Sequence, residues 1–480
     1  MLRTIVRLFA EAHDGFPEDA VFQRALRVGI GLLTATGRHT VTSMLEATGW
    51  TDRDWTAFYR AFSRDEWDPS VLFDVAKRHL LARLPAGIPA VVALDDTGLR
   101  KTGKHIPGVK YLRDPMSPPF RMNLMRGQRF VQLSFSAPFA FDTLAAARAI
   151  PIEFRHAPAP VKPRASASEA EHAAYRALCR EQSLAHVGAT MIRACRADID
   201  RLDRPDRPLL VAVDGSYTNA TVIRQLPPRT VLIGRVRKDL RTFFPPTHQP
   251  ALGRKRTYGT AAPTPEQLRG DPNVPWQPIE VYASGAVHQC EVKSLGPVLW
   301  RKTGADQSFR IIVIRPLRYR PSGSGKLLYR QPAYLLCTDP SLPLTDAVRA
   351  YFSRWDIEVN HRDEKQLIGV GQAQVRSPKS VGRLPSFAVA MYSFLLLAYG
   401  LRHGFDASEP LAPLPKWRRG SASPRVRLTT GEMLDHLRAC RPRNFVEQPN
   451  FSDFARNVAQ SMKCSKSAIT LPSALERALN

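Results

Sequence analysis

Three features of the chain predict an α/β protein with a mixed sheet flanked by helices. Two fully apolar runs, Val91 to Leu94 and Leu209 to Val213, are bounded by polar and Gly residues, the pattern of central strands covered on both faces. Each run ends in acid, Asp95-Asp96 after the first and Asp214 after the second. A later segment, LTDAVRAYFSRWDIEVNHRDEKQLIG (344–369), carries its polar residues at helical spacing.

Taken in order, residues 1–85 alternate helical patterns with Gly, Asp and Trp punctuation and read as a helical N-terminal domain that binds DNA. Trp50, Trp55 and Trp67 are assigned to its core. Residues 86–245 supply the first part of a core sheet. After the Asp95 strand, FRMNLMRGQRFVQLSFSAPF (120–139) reads as two neighbouring antiparallel strands. The Pro- and Ala-rich HAPAPVKPRASAS (156–168) then leads into one long helix over 167–203. The Asp214 strand and VLIGRVR (231–237) follow.

Between 246 and 331 the texture changes to short alternating, β-branched runs punctuated by Pro, Gly and Thr, which predicts a β-rich insertion. PAYLLCTD (332–339) returns the chain to the core, whose second part, 332–404, contains the charged helix. Residues 405–480 form a basic C-terminal region with a helical stretch around 430–441 and no usable motif. The run SFAVAMYSFLLLAYGL (386–401) is shorter than the ~20 residues that span a bilayer. It is read as a buried helix packed behind the charged one, and no membrane partner is expected. The start, MLRTIVRLFAEAHDG, is interrupted by acids too soon for a secretory signal.

The charged helix concentrates the chemistry. At about 100° per residue, Arg354, Glu358 and Lys365 fall within roughly 60° of Tyr351 around the axis. Asp346 suits the first turn and Gly369 the end. A phenol, a guanidinium, a carboxylate and an ammonium on one stripe make a poor core face and a good phosphate-and-metal face. His361, three residues after Glu358, is read as an ordinary helix-surface residue. Asp95, Asp214 and Glu358 can converge at one sheet edge, and three hard oxygen donors suit Mg²⁺ or Mn²⁺. Six scattered cysteines with no C-x-x-C pair give no zinc pattern and fit reduced thiols in a cytoplasmic protein.

Asp95 is preferred to Asp96 as the ligand because it directly ends the apolar run; strand neighbours point to opposite faces, so a regular strand offers only one of them. The balance of 69 Lys and Arg against 43 Asp and Glu, a net +26, favours polyanionic partners. Basic stretches recur along the chain, at 126–129, 235–241, 251–256, 315–320 and 416–420, as suits DNA lying across a broad face.

The three acids in order, with Y-x-x-R-x-x-x-E-x-x-x-x-x-x-K around the third, resemble the DDE transposases of bacterial insertion sequences, in the branch with the Tyr-Arg-Glu-Lys signature. LDDTGLRKTGKHIPGVKY, VLIGRVRKDLRTF and RWDIEVNHRDEKQLIGVGQAQVRS carry the likeness further, as do GLLTATGRHTVTSML and FYRAFSRDEWDPSVL near the N-terminus. The resemblance implies a ribonuclease-H-like core that cuts double-stranded DNA at transposon ends and joins the freed 3′ ends to a target. Asp95, Asp214 and Glu358 would then hold two divalent ions, and Tyr351, Arg354 and Lys365 would contact DNA. It also implies a homodimer on DNA and an insertion that can stack a flipped base on an aromatic ring, with Trp300 or Trp276 in that role; each Trp also reads simply as filling its module's core. Gly215-Ser216-Tyr217 follows Asp214 where this branch commonly has Arg-Gly, so no phosphate contact is carried over to that position. A metal-dependent nuclease without strand joining and a catalytically silent DNA-binding regulator remain open on the same residues.

Overall fold

The computed structural model describes residues 1–50, 54–103, 105–114, 117, 120–137, 148–249, 253–283, 286–316, 318–319, 328–329, 331–405 and 428–439. Its strands are β1 (Ala90–Arg100), β2 (Lys110–Arg113), β3 (Leu124–Ala137), β4 (Arg148–His156), β5 (Leu209–Val213), β6 (Thr230–Arg235), β7 (Gln277–Ala283), β8 (Ala286–Trp300), β9 (Gly304–Ile314), β10 (Arg318–Tyr319), β11 (Leu328–Tyr329) and β12 (Ala333–Cys337). All but β10 and β11 form one ten-stranded sheet, in the order β2-β3-β1-β5-β6-β12-β9-β8-β7, with β4 also on β3. β1, β3 and β4 pair antiparallel, while β1, β5 and β6 run parallel. The order β4-β3-β1-β5-β6 with that polarity is a ribonuclease-H-like sheet.

The apolar runs lie at its centre because both of their faces are covered. Ala90, Val92, Leu94, Leu209, Val211 and Val213 belong to one hydrophobic cluster, shared with the N-terminal helices and the Ser380–His403 helix. Val91 and Leu210 belong to a second, shared with the Leu344–Ser353 helix. Alternation therefore splits each strand between two layers.

Several elements differ from the sequence reading. Residues 124–137 form one continuous strand instead of two, and its second antiparallel partner is β4. The long helix over 167–203 is two, Glu169–Glu181 and Leu184–Leu202. Ser183 divides them, its Oγ accepting the His186 N–H at 3.3 Å, since a capping hydroxyl competes with helix continuation. The charged segment is also two helices, Leu344–Ser353 and Trp355–Gln366, meeting at Arg354. Strands β7, β8 and β9 join the central sheet through β12.

The Ser380–His403 helix is long and apolar enough to cross a membrane by composition, yet 89% of its most apolar window is buried inside the protein. It packs mainly on β4 and the N-terminal helices, and touches the Glu358 helix through Asn360, whose Nδ2 donates to Tyr392 at 3.4 Å. Phe387 is fully buried, with ring centroids 5.1 Å from Phe62, 6.0 Å from Trp67 and 6.4 Å from Phe9. Phe387→Ala is expected to cost about 3–5 kcal/mol of stability, read as a lower urea midpoint at an unchanged m-value.

Candidate active site

Leu94 and Val213 are the last residues paired between β1 and β5, so Asp95 and Asp214 emerge side by side. In parallel register they share a face, the one that Val91 and Leu210 present to the Leu344–Ser353 helix. β1 continues through Arg100, which places the Asp95-Asp96 pair inside the strand instead of at its end. The alternation sends Asp96 to the opposite layer. There its Oδ2 lies 2.8 Å from Arg129 Nε and its Oδ1 accepts the Tyr217 hydroxyl at 3.3 Å. Arg129 sits diagonally across the β1–β3 ladder from Asp96, the position where cross-strand partners meet.

Asp214 is held by the turn that follows it. Its Oδ1 accepts the Ser216 N–H at 2.9 Å, its Oδ2 the Ser216 hydroxyl at 3.2 Å, and its carbonyl the Thr218 hydroxyl at 2.9 Å. Gly234 on β6 makes room for that turn, since a Cβ there would lie 2.0 Å from Thr218 Oγ1.

Arg354 lies where the two helices meet. Its Nη1 is 3.4 Å from Asp95 Oδ2 and 3.6 Å from Glu358 Oε1, so one guanidinium bridges carboxylates from strand and helix. Its other neighbour is the Tyr351 ring, 5.8 Å from centroid to guanidinium carbon. Lys365 is half-buried; desolvation lowers its pKa, while Glu364, Glu358, Asp95 and Asp96 oppose that shift. The helix ends at Gln366, and the chain turns at Gly369, whose φ of +72° is the left-handed conformation that favours glycine.

Burial raises the Asp95 pKa to about 7, with Glu358 and Asp214 adding to the rise and Arg354 opposing it. Asp96 is also raised, first by burial, against the pull of Arg129. Asp95 is buried while Glu358 and Asp214 stay partly open to solvent; like charges brought together in this way call for a cation. The donor set fits a hard divalent ion.

His361 corrects the sequence reading. It is 6% exposed, and a ring nitrogen lies with one oxygen each of Asp95 and Glu358 in a group spanning no more than 4.8 Å. Burial, then Lys365 and Arg354, lower its pKa to about 3, so the ring is neutral. Its i+3 spacing from Glu358 was the available signal; the extent of burial was not legible. Trp300 is 8% exposed and packs with Leu268, Val298, Phe309 and Leu336. It fills the core of its module in this structure. Trp276 is half-buried beneath Lys293 and Arg315.

Behind the carboxylates, Gln132 stands opposite Asp95 in the β1–β3 register, and its Nε2 donates to Ser134 at 3.1 Å. Glu364, 1% exposed, lies beside it, and burial raises the Glu364 pKa to about 8 from 4.5. A folded-state pKa above the unfolded value means stability that is full below about pH 4.5 and is lost as pH rises to about 8. Glu364→Gln, which carries no titrating proton, is expected to flatten that decline. Denaturant unfolding of both proteins between pH 5 and 8.5 measures it, and parallel curves would show that Glu364 is not the group responsible.

A ribonuclease-H-like sheet with acids gathered at the end of its paired central strands defines the nuclease class of that fold. The chain belongs to one family within it: the family model described as DDE superfamily endonuclease matches residues 12–302. A DDE-type nuclease acts on DNA and typically uses divalent metal. The matched span contains Asp95 and Asp214 and ends before Glu358, so the third acid rests on the geometry described above. A search of curated proteins found no match.

Proposed function

We propose that this chain is a DNA transposase of the Tyr-Arg-Glu-Lys branch, cleaving the ends of an insertion sequence and joining the 3′ ends to target DNA. The reading is carried by Arg354 bridging Asp95 and Glu358 while Asp214 emerges beside Asp95 on the same face. Asp95, Asp214 and Glu358 would hold two Mg²⁺ or Mn²⁺ ions, which when bound activate the attacking oxygen and neutralise charge on the leaving one. Asp96, turned to the other layer and engaged by Arg129 and Tyr217, is the less suited ligand.

The remaining roles belong to the protein's own groups. Arg354 would present its fork of donors to phosphate beside the scissile bond, and Lys365 a point charge. Tyr351 stacks under Arg354 and would brace it or donate to a phosphate oxygen. Further DNA contact is supported by the β2–β3 ribbon. Together with Arg100 at the adjoining end of β1, it displays Lys110, Arg113 and Arg121 beside the exposed Tyr111, Phe120 and Met122, a mixture of phosphate-binding charge and apolar surface suited to a duplex. Joining two ends requires two active sites, so a homodimer on DNA is part of the proposal, acting in the cytoplasm.

Incubating the full chain with Mg²⁺, a duplex bearing the repeats that flank its own coding sequence and a supercoiled target tests joining directly. Strand-joined products at the repeat boundary are expected. Cleavage at that boundary with no joined product under Mg²⁺ or Mn²⁺ would reduce the function to that of an endonuclease.

A further inference from the structure

His361 is buried, and its Nε2 is enclosed with no hydrogen-bond partner. A buried imidazole nitrogen is ordinarily satisfied by protein, water or a ligand. Two carboxylates lie close to the ring. One turn of helix puts His361 on the same side as Glu358, and one donor atom from each of Asp95, Glu358 and His361 lies within 4.8 Å of the other two.

We infer that His361 is a direct nitrogen ligand in one of the two cation positions, which makes that position a mixed nitrogen–oxygen site selective for Mn²⁺ over Mg²⁺. Mg²⁺ prefers oxygen donors in near-ideal octahedra, whereas imidazole suits transition ions. Among the described residues no group of three donors that includes Asp214 closes within the same distance, and a position held by Asp95 and Asp214 would keep oxygen-only preferences. The inference rests on the metal-dependent reading above and adds a ligand to it.

Pulsed electron paramagnetic resonance of the full-length protein with one equivalent of Mn²⁺ tests the assignment. The expected spectrum shows ¹⁴N hyperfine coupling to manganese that becomes ¹⁵N coupling when histidine is isotopically labelled, and Glu358→Gln removes it. In His361→Gln the coupling should vanish and Mn²⁺ affinity should fall roughly 10–100-fold, on the scale typical of lost metal-site contacts. Mg²⁺ affinity should fall less. Glu358-dependent Mn²⁺ binding without nitrogen coupling would overturn the inference and leave an all-oxygen metal site standing. Coupling that persists in His361→Gln would place the nitrogen on another histidine. No Glu358-dependent binding at all would overturn both the inference and the metal reading. The labelled wild type decides the matter even where His361→Gln fails to fold.

Discussion

Asp95→Asn should lower metal-dependent DNA cleavage by roughly 10³-fold or more, with DNA affinity close to that of the wild type. The variant keeps the shape of the strand and removes one charge, so a loss this large reports lost transition-state stabilisation. The neighbouring Asp96→Asn is the control. Asp96 faces the other layer, where Arg129 and Tyr217 engage it, and its change should cost far less activity. Equal losses would mean that the face assignment from strand alternation is wrong. Single-turnover nicking, with binding followed by fluorescence anisotropy, separates these outcomes.

Arg354→Ala is expected to reduce cleavage by roughly 10²–10³-fold, the scale of removing one preorganised donor from a charged transition state. The residue has two jobs that alanine cannot perform. It bridges Asp95 and Glu358 in the free protein, and in the proposed function it would offer a fork of donors to phosphate. Arg354→Lys should rescue little, because an ammonium supplies charge without the planar fork. The pH profile should move as well. Arg354 opposes the upward shift of Asp95, whose pKa is already about 7. Its removal raises that pKa further, so the acid limb of the activity profile should shift to higher pH. A lower rate with an unmoved acid limb would confine Arg354 to phosphate contact.

Much of this arrangement was legible in the sequence because the rules behind it are local. Apolar runs without alternation marked β1 and β5 as doubly buried, and Asp at the end of each pairing placed two acids together. The 3.6-residue period aligned Arg354, Glu358 and Lys365. What escaped depended on partners distant in sequence. RAIPIEFRH (148–156) carries Pro151, which demotes a strand reading, yet it pairs at the sheet's side through β3 with a register shift at Leu133/Ser134. Arg129 was visible only as part of a basic stretch, because its pairing with Asp96 needs the β1–β3 register. His361 looked like surface until the sheet closed over it. Trp300 was ambiguous for the same reason, since only tertiary packing decides whether a ring is covered.

One assay tests the three-acid site most directly. The full chain would be given duplex DNA carrying the repeats that flank its coding sequence, in Mg²⁺, Mn²⁺ or EDTA, beside Asp214→Asn and Glu358→Gln. The predicted result is nicking at the repeat boundary with either metal, none in EDTA, and none in either variant while both still bind the DNA. Specific binding with no cleavage in either metal, or cleavage that survives in both variants, would contradict a catalytic site built from Asp95, Asp214 and Glu358.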